Sequence, residues 1–219
     1  MNIFDIIGPV MIGPSSSHTA GATKIGRVTR ALLGQMPVNV VVKFHGSFAK
    51  TYKGHGTDKA IIAGLMDMLP DDERIRDSLQ LAQKANIQYT FEEVNLEDAH
   101  PNTVLIVATA KDGTTVTVEG ASVGGGNIMI NKIDGLGVEF TGNYNTLIIY
   151  HDDAPGAIAA VSNLLAHGNI NIASMKVYRS YRGGDAIMII EMDQAVNTQL
   201  NLLIRNLPGI KGSTLIKSI

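Results

Sequence analysis

The chain has 219 residues, of which 45% are hydrophobic and 17% charged, a composition typical of a globular protein rather than a disordered one. Its formal net charge of −2 provides no polybasic field, so we expect neither nucleic acid nor a membrane surface as a partner. Cysteine is absent, which excludes disulfides, a thiolate nucleophile and cluster ligation through sulfur by this chain.

No apolar run reaches the roughly 18 residues that a membrane-spanning helix requires. The N-terminal segment up to Gly13 contains Asp5 and no lysine or arginine, so it lacks the basic start of a signal peptide. We therefore expect a cytoplasmic protein.

Helices and strands are mixed in the first two-thirds of the chain. A helix capped by Ser17 or Thr19 is predicted to run to about Gln35, because apolar residues recur on one helical face. The triple glycine Gly124–Gly126 indicates either a tight turn or a close approach to a ligand. The other predicted elements are helices over 57–69 and 72–85 and strands over 39–44, 87–93, 103–110, 114–119 and 127–133.

A polar, turn-rich segment between Phe140 and Thr146 marks a domain boundary. The order predicted after it is βαββαβ, with Pro155 in the first turn of a helix and Gly168 just past its end. These elements are a strand over 147–150, a helix over 155–167, strands over 170–178 and 186–192, a helix over 197–206 and a strand over 212–219. We predict an α+β protein of two domains, residues 1–143 and 146–219.

Two segments of the first domain have the residue types of a catalytic or binding site. In the first, 13–19, a serine-rich loop runs into a helix start, where free N–H groups favour an anion and His18 titrates near neutrality. In the second, 45–60, Gly54 and Gly56 flank His55 and leave its imidazole accessible. The residue types alone leave open an ordinary helix cap and an ordinary turn.

The two segments contain the strings Gly-Pro-Ser-Ser-Ser-His-Thr (13–19) and Gly-His-Gly-Thr-Asp-Lys-Ala (54–60). Together with His-Pro-Asn (100–102) and Ser-Val-Gly-Gly-Gly (122–126), they closely resemble the iron–sulfur L-serine dehydratase family along essentially the whole chain. The length, and a C-terminal ACT domain, resemble the beta subunit of the two-chain members, whose first domain is of the allosteric-substrate-binding type.

The resemblance implies a lyase that converts L-serine to pyruvate and ammonia without pyridoxal phosphate. It implies a [4Fe–4S] cluster in which one iron, not held by cysteine, acts as a Lewis acid on the substrate hydroxyl. Because this chain has no cysteine, the cluster would be held by a partner alpha subunit, and this chain would be inactive alone. The alternative is a purely regulatory, serine-binding subunit whose partner performs all the chemistry.

Residue roles follow from the same resemblance. His55 is the candidate for removing the Cα proton, and His18 is the second candidate, orienting substrate or moving a proton. The substrate carboxylate would be held by the hydroxyl-bearing residues of the first segment, Ser15, Ser16, Ser17 and Thr19. Asp58 is a candidate to orient His55, whereas structural roles are expected for His45 and His100.

The string His-Asp-Asp-Ala-Pro-Gly (151–156), followed by Gly-Asn-Ile-Asn-Ile (168–172), resembles an ACT domain, a ferredoxin-like fold. The matching effector-binding positions are Asp153, Gly156 and Asn171. The resemblance implies homodimerisation through this domain, with sensing of a small amino acid such as L-serine or pure assembly left open. His151-Asp152 has no second ligand pair at a useful spacing, so no metal site is predicted.

Overall fold

The structure is a computed structural model that describes residues 10–218. The chain forms two compact units, Met1–Thr141 and Gly142–Ile219. Most of the segment on which the signal-peptide argument depends lies outside the described residues. Between residues 10 and 218, no helix combines the length and apolar character needed to cross a bilayer.

The first unit is a six-stranded sheet with helices. A π-helical turn, Ser16–Gly21, precedes α1, and a 3₁₀ turn, Glu73–Asp77, precedes α4. The α-helices are α1 (Ala22–Leu33), α2 (Gly46–His55), α3 (Thr57–Leu65) and α4 (Ser78–Lys84). The strands are β1 (Pro37–His45), β2 (Gln88–Val94), β3 (Thr103–Ala110), β4 (Thr115–Gly124), β5 (Asn127–Ile133) and β6 (Leu136–Phe140).

The strand order of this sheet is β2-β1-β3-β4-β5-β6. Only β1 and β2 pair in parallel, because α2, α3 and α4 form the crossover between them, whereas the other neighbours pair antiparallel. Alternate residues of β3, including Val104, Ile106 and Ala108, are fully buried. Helix α1 packs on β3, β4 and β5, so these strands present an apolar face to it.

Helices α1 and α3 pack backbone against backbone. A Cβ atom on Gly26 would lie 2.4 Å from the carbonyl oxygen of Ile61, and one on Gly64 would lie 2.1 Å from that of Thr23. Glycine at both crossing points therefore lets the two helices approach closely, which places the C-terminal half of α3 against the first turns of α1.

Helix α2 is absent from the sequence prediction. It begins at Gly46, whose φ of 58° is left-handed and whose added Cβ would lie 2.6 Å from the carbonyl oxygen of Pro101. The backbone N–H of Ser47 donates to the same oxygen over 2.7 Å. Glycines at its first and ninth positions and a polar composition leave the helix without an apolar periodicity, whereas this tertiary contact defines its start.

Four smaller differences separate prediction and structure. Strand β4 continues to Gly124, and Gly124–Gly126 then form a tight turn in which all three φ angles are positive. Strand β6 is also missed, and the charged helix predicted over 72–85 is a 3₁₀ turn followed by the short α4. The predicted cap at Ser17 or Thr19 is wrong, because the capping side chain is that of Ser15.

The second unit confirms the predicted βαββαβ order. Its elements are β7 (Asn145–Asp152), α5 (Ala157–His167), β8 (Ile172–Arg179), β9 (Asp185–Met192), α6 (Thr198–Arg205) and β10 (Ile210–Ile216). The strands form an antiparallel sheet in the order β10-β7-β9-β8. Leu147 and Ile190 of the sheet are fully buried in one core with Val161 of α5 and Ile204 of α6. The fold class is therefore α+β, as predicted.

Candidate active site

The π-helical turn places His18 in the interior of the first unit. Ser15, the residue before the turn, accepts a hydrogen bond on Oγ from the backbone N–H of His18 (3.3 Å). The His18 side chain is 8% exposed. Single π-helical turns occur frequently at functional sites, and this one directs a titratable group inward.

One face of α2 meets this imidazole. Phe48, Thr51 and His55 are spaced by three and four residues, so their side chains lie on the same side of the helix. The ring centroids of Phe48 and His55 lie 5.0 Å and 4.6 Å from that of His18, both in edge-on orientations. The two histidines predicted as catalytic are therefore in direct contact.

Hydrogen bonds determine the tautomer of His18. The Thr51 hydroxyl donates to the carbonyl oxygen of Ser47 (2.7 Å), so its oxygen is left to accept from Nε2–H of His18 (2.9 Å). The other ring nitrogen, Nδ1, lies 3.2 Å from the Ser15 hydroxyl, which donates to it when the ring is neutral. His18 is thus held as the Nε2–H imidazole.

The surroundings of His18 favour this neutral form. Burial lowers the pKa of the His18 imidazole below its ordinary value of 6.5, and positive charge on His55 lowers it further. Because both ring nitrogens already have partners, His18 is better arranged to position its neighbour than to accept a substrate proton.

His55 has the opposite environment. It is the last residue of α2, its side chain is exposed, and Gly56 follows with a φ of 71° that ends the helix. Among residues 10–218, no hydrogen bond involves the nitrogens of its ring. An imidazole with a free nitrogen at the surface can take a proton from a bound molecule.

His55 lies in the wall of a pocket of about 220 Å³, which we call the α2–α3 pocket. The loop before the π-helical turn forms one side through Gly13 and Pro14, and the junction of α2 and α3 forms the other. The hydroxyl oxygen of Thr19 is buried without a partner in the described part of the chain, and Thr19 also lines the pocket. The pocket thus joins the two segments that the sequence analysis selected.

The charged residues of the pocket were not among the predicted site residues. Lys53, Lys59 and Arg76 line it beside His55, and none of the described lining residues is acidic. Arg76 lies on the 3₁₀ turn, distant in sequence from both motifs, and Lys53 lies on the missed helix α2. Lys53 and Lys59 belong to the 45–60 segment around His55, whereas no signal in the sequence brings Arg76 to the pocket.

The serine residues assigned to the substrate carboxylate are only partly at the pocket. Ser15 is engaged with His18, and the half-buried Ser16 and Ser17 do not line the pocket, whereas Thr19 does. Their assignment as carboxylate ligands stays a prediction, and Thr19 is the member best placed for it.

The remaining candidates of the first unit make structural contacts. Asp58, suggested to orient His55, accepts from the backbone N–H of Lys59 (2.8 Å), and burial raises the pKa of its carboxyl group. Nδ1 of His45 accepts from the backbone N–H of Leu96, and Nδ1 of His100 accepts from that of Asn102, each over 3.1 Å.

The predicted effector positions of the second unit lie apart within one chain. Asp153 follows β7 and accepts from Arg179 and from the backbone N–H of Gly183, each over 2.9 Å. These bonds, with that from Gly183 the largest influence, lower the pKa of the Asp153 carboxyl group.

Asn171 precedes β8, and its side-chain amide donates to Asp193 (2.6 Å) just beyond β9. Gly156, with a φ of 91°, is the residue before α5 and lies next to the Asp153 loop. Since β7 pairs with β9 from Asn145 with Met192 to Asp152 with Asp185, Asp153 and Asn171 lie at opposite ends of the sheet.

The residues present do not form a metal or cluster site. The sequence has no cysteine, and within the described residues no group of three histidine, aspartate or glutamate side chains converges on a common point. An iron–sulfur cluster does not fit this chain's own side chains.

Comparison with known proteins identifies both units. Residues 2–132 match the serine dehydratase beta chain family, and residues 145–209 match the ACT domain. A protein of Bacillus subtilis (strain 168), named as a probable L-serine dehydratase beta chain, is 46% identical over 95% of this chain and 94% of its own length.

Two further relatives match most of the chain. The L-serine dehydratase beta chain of Peptoniphilus asaccharolyticus is 40% identical over 90% of this chain and 89% of its own length. The D-3-phosphoglycerate dehydrogenase of Bacillus subtilis is 26% identical over 89% of this chain, which corresponds to 37% of that protein. The chain therefore belongs to the serine dehydratase beta chain family and ends in an ACT domain.

Proposed function

We propose that this chain is the beta subunit of an L-serine dehydratase, an L-serine ammonia-lyase that is active only with its alpha chain. Membership of the family supports the assignment, as does the similarity to two proteins named as L-serine dehydratase beta chains, which align along nearly their whole length. The observation that carries a catalytic role is the contact of the buried His18 with His55, which is exposed and lines a pocket.

In the proposed reaction, His55 removes the Cα proton of L-serine. It is the exposed imidazole of the pair, with ring nitrogens that form no hydrogen bond to the described residues. Loss of this proton and departure of the β-hydroxyl as water give aminoacrylate, which tautomerises and hydrolyses to pyruvate and ammonia. His18 supports the reaction as a neutral ring that packs edge-on against His55 and limits its orientations.

We assign the [4Fe–4S] cluster to the alpha chain. A chain without cysteine has no thiolates for the cluster, so this subunit is proposed to supply only substrate binding and proton transfer. The proposed active site therefore lies where the alpha chain covers the α2–α3 pocket. We assign no pyridoxal phosphate to this reaction.

The ACT domain is proposed to dimerise and to bind L-serine as an effector. Asp153 and Asn171 lie at opposite ends of the sheet, so one copy does not bring them together. Strand β8 is an edge strand, and antiparallel pairing of β8 with β8 of a second copy would place Asn171 of one copy at the Arg179 end of the other. Asp153 contacts Arg179 at that end.

A second candidate is a purely regulatory subunit. It is favoured by the alignment of most of this chain with part of a D-3-phosphoglycerate dehydrogenase, an enzyme with a different name and a different reaction. In that case both units bind L-serine and the alpha chain performs all the chemistry.

The proposed function is tested by reconstitution. Co-expressed with its alpha chain under anaerobic conditions, this chain should support pyruvate formation from L-serine, whereas each chain alone should be inactive. The isolated chain should also show no iron-dependent absorbance. Turnover by the alpha chain alone would favour the regulatory candidate, and no turnover by the intact complex would refute the proposal.

A further inference from the structure

We propose that Lys53, Lys59 and Arg76 form the subsite that holds the carboxylate of the substrate. This inference rests on the proposed function for the identity of the substrate. The carboxylate, assigned to the serine-rich loop from the sequence, is here assigned to three cationic side chains. The tertiary structure brings these side chains together.

The three residues reach the α2–α3 pocket from three different elements. Lys53 lies in the last turn of α2, Lys59 in the first turn of α3, and Arg76 on the 3₁₀ turn. All three line the same pocket of about 220 Å³, together with His55. A pocket of this volume accommodates a small molecule and not a polymer.

Among the described residues, the positive charge of this pocket is only partly offset. Burial raises the pKa of the Asp58 carboxyl group, and the nearby charges of Lys59 and Lys53 lower it. Between residues 10 and 218, no ion pair involves any of the three cationic side chains, and no acidic residue lines the pocket. Lys53 lies 5.6 Å from the centroid of the Tyr52 ring, which leaves its N–H donors available. The adjacent carboxylate, Asp58, is bonded to the backbone N–H of Lys59.

An independent observation also indicates a ligand. Thr19 is 2% exposed, its hydroxyl has no partner within the described structure, and it lines the same pocket. Buried hydroxyls without partners are uncommon and costly, so this group is expected to bond to an occupant. One hydroxyl and three cationic groups match the two oxygens of a carboxylate, which accept several hydrogen bonds.

The position next to His55 gives this subsite a role in the reaction. In an α-amino acid the carboxylate is bonded to the carbon whose proton must be removed. Anchoring the carboxylate in the α2–α3 pocket therefore holds the Cα–H bond near the imidazole of His55.

The first test is a titration of the full chain followed by NMR of the Gly54 and Gly56 amides. L-serine should shift these resonances, whereas serinol (2-amino-1,3-propanediol), in which a hydroxymethyl group replaces the carboxylate, should not. Arg76→Gln should weaken L-serine binding about 10-fold, because a charge-assisted bond is lost. Arg74→Gln is the matched control, because Arg74 lies on the same turn and is bonded to Asp72.

The inference is overturned by equal shifts with serinol, by no response to L-serine, or by unchanged affinity in Arg76→Gln. Binding of inorganic phosphate at the same amides more tightly than L-serine would also overturn it, since the site would then be a phosphate site.

The second test uses the reconstituted complex. Arg76→Gln and Lys53→Gln should each raise the KM for L-serine about 10-fold with little change in kcat, whereas Lys50→Gln should match the wild type. If the wild-type complex makes no pyruvate, the proposed function fails and the titration alone decides the carboxylate subsite. If the complex is active and the pocket variants keep their KM, the subsite fails and the function remains.

Discussion

His18 is constrained by partners on both ring nitrogens. The Ser15 and Thr51 hydroxyls bond to Nδ1 and Nε2, and the rings of Phe48 and His55 make edge-on contacts with the imidazole. The imidazole is therefore fixed in position and in tautomer before any substrate binds. Such fixation is the property required of a group that positions a neighbouring base.

The low pKa of His18 gives the first prediction. We expect its ring C–H resonances, assigned with His18→Gln, to titrate by NMR below 6.5, because burial opposes the charged form. A midpoint at or above 6.5 would show that the ring is not held neutral.

The same group gives a prediction for stability. Since the pKa of His18 is lower in the folded state, the unfolded state binds more protons between the folded value and 6.5. Its contribution is present above 6.5 and is lost as the pH falls through the folded value. Urea unfolding at about pH 7.5 and about pH 5.5 should show a smaller pH-dependent loss in His18→Gln than in the wild type. An equal loss in both proteins would contradict this assignment.

At the residue scale, the sequence predicted that the two histidines share one site. It did not predict the tautomer of His18 or the charge of the pocket. The strings around His18 and His55 predict that both residues belong to one site, and the structure brings the rings into contact. The tautomer of His18 depends on Thr51, and the charge of the pocket depends on Arg76. Both residues reach the site only through the packing of α2 and the 3₁₀ turn.

Helix α2 is the element on which the site depends. It carries Thr51 and His55 on one face and ends directly before α3, so its position relative to the π-helical turn determines the geometry of both histidines. The sequence did not predict it, because its start is defined by the contact of Gly46 with Pro101. Helices α1 and α5 were predicted because their apolar residues recur at helical spacing.

The close crossing of α1 and α3 gives a prediction at the scale of elements. Gly64→Ala should destabilise the first unit by about 1–3 kcal/mol, because the new methyl group meets backbone atoms of Thr23 and Arg27 that cannot move away easily. Urea unfolding followed by circular dichroism measures the change. Gly137→Ala in β6 is the control, since nothing lies within 4 Å of its added Cβ. Equal stability of the two variants would show that the helices separate readily.

At the scale of the whole molecule, the two-unit organisation was the most predictable feature. The polar segment before β7 separates two patterns of elements, and the βαββαβ order of the second unit follows directly from its apolar runs. The strand order of the first unit could not be predicted, because a single parallel pair, β1 with β2, is embedded in an antiparallel sheet.

Dimerisation through β8 gives a prediction for the full chain. Val177, an apolar residue of this edge strand, is 38% exposed, and Val177→Lys should weaken self-association about 10-fold or more in analytical ultracentrifugation. Leu203→Lys changes an apolar residue of α6 that is 51% exposed and should leave association unchanged. A monomeric wild-type chain, or equal effects of both variants, would contradict pairing through β8.

The measurement that tests the account most directly is the turnover of the reconstituted complex carrying His55→Gln. If His55 removes the Cα proton, kcat should fall about 100-fold or more, while assembly and the iron-dependent absorbance stay unchanged. His167→Gln, at the end of α5, should retain wild-type turnover. A His55→Gln complex that keeps wild-type kcat and changes only its dependence on L-serine would contradict general-base catalysis by this chain.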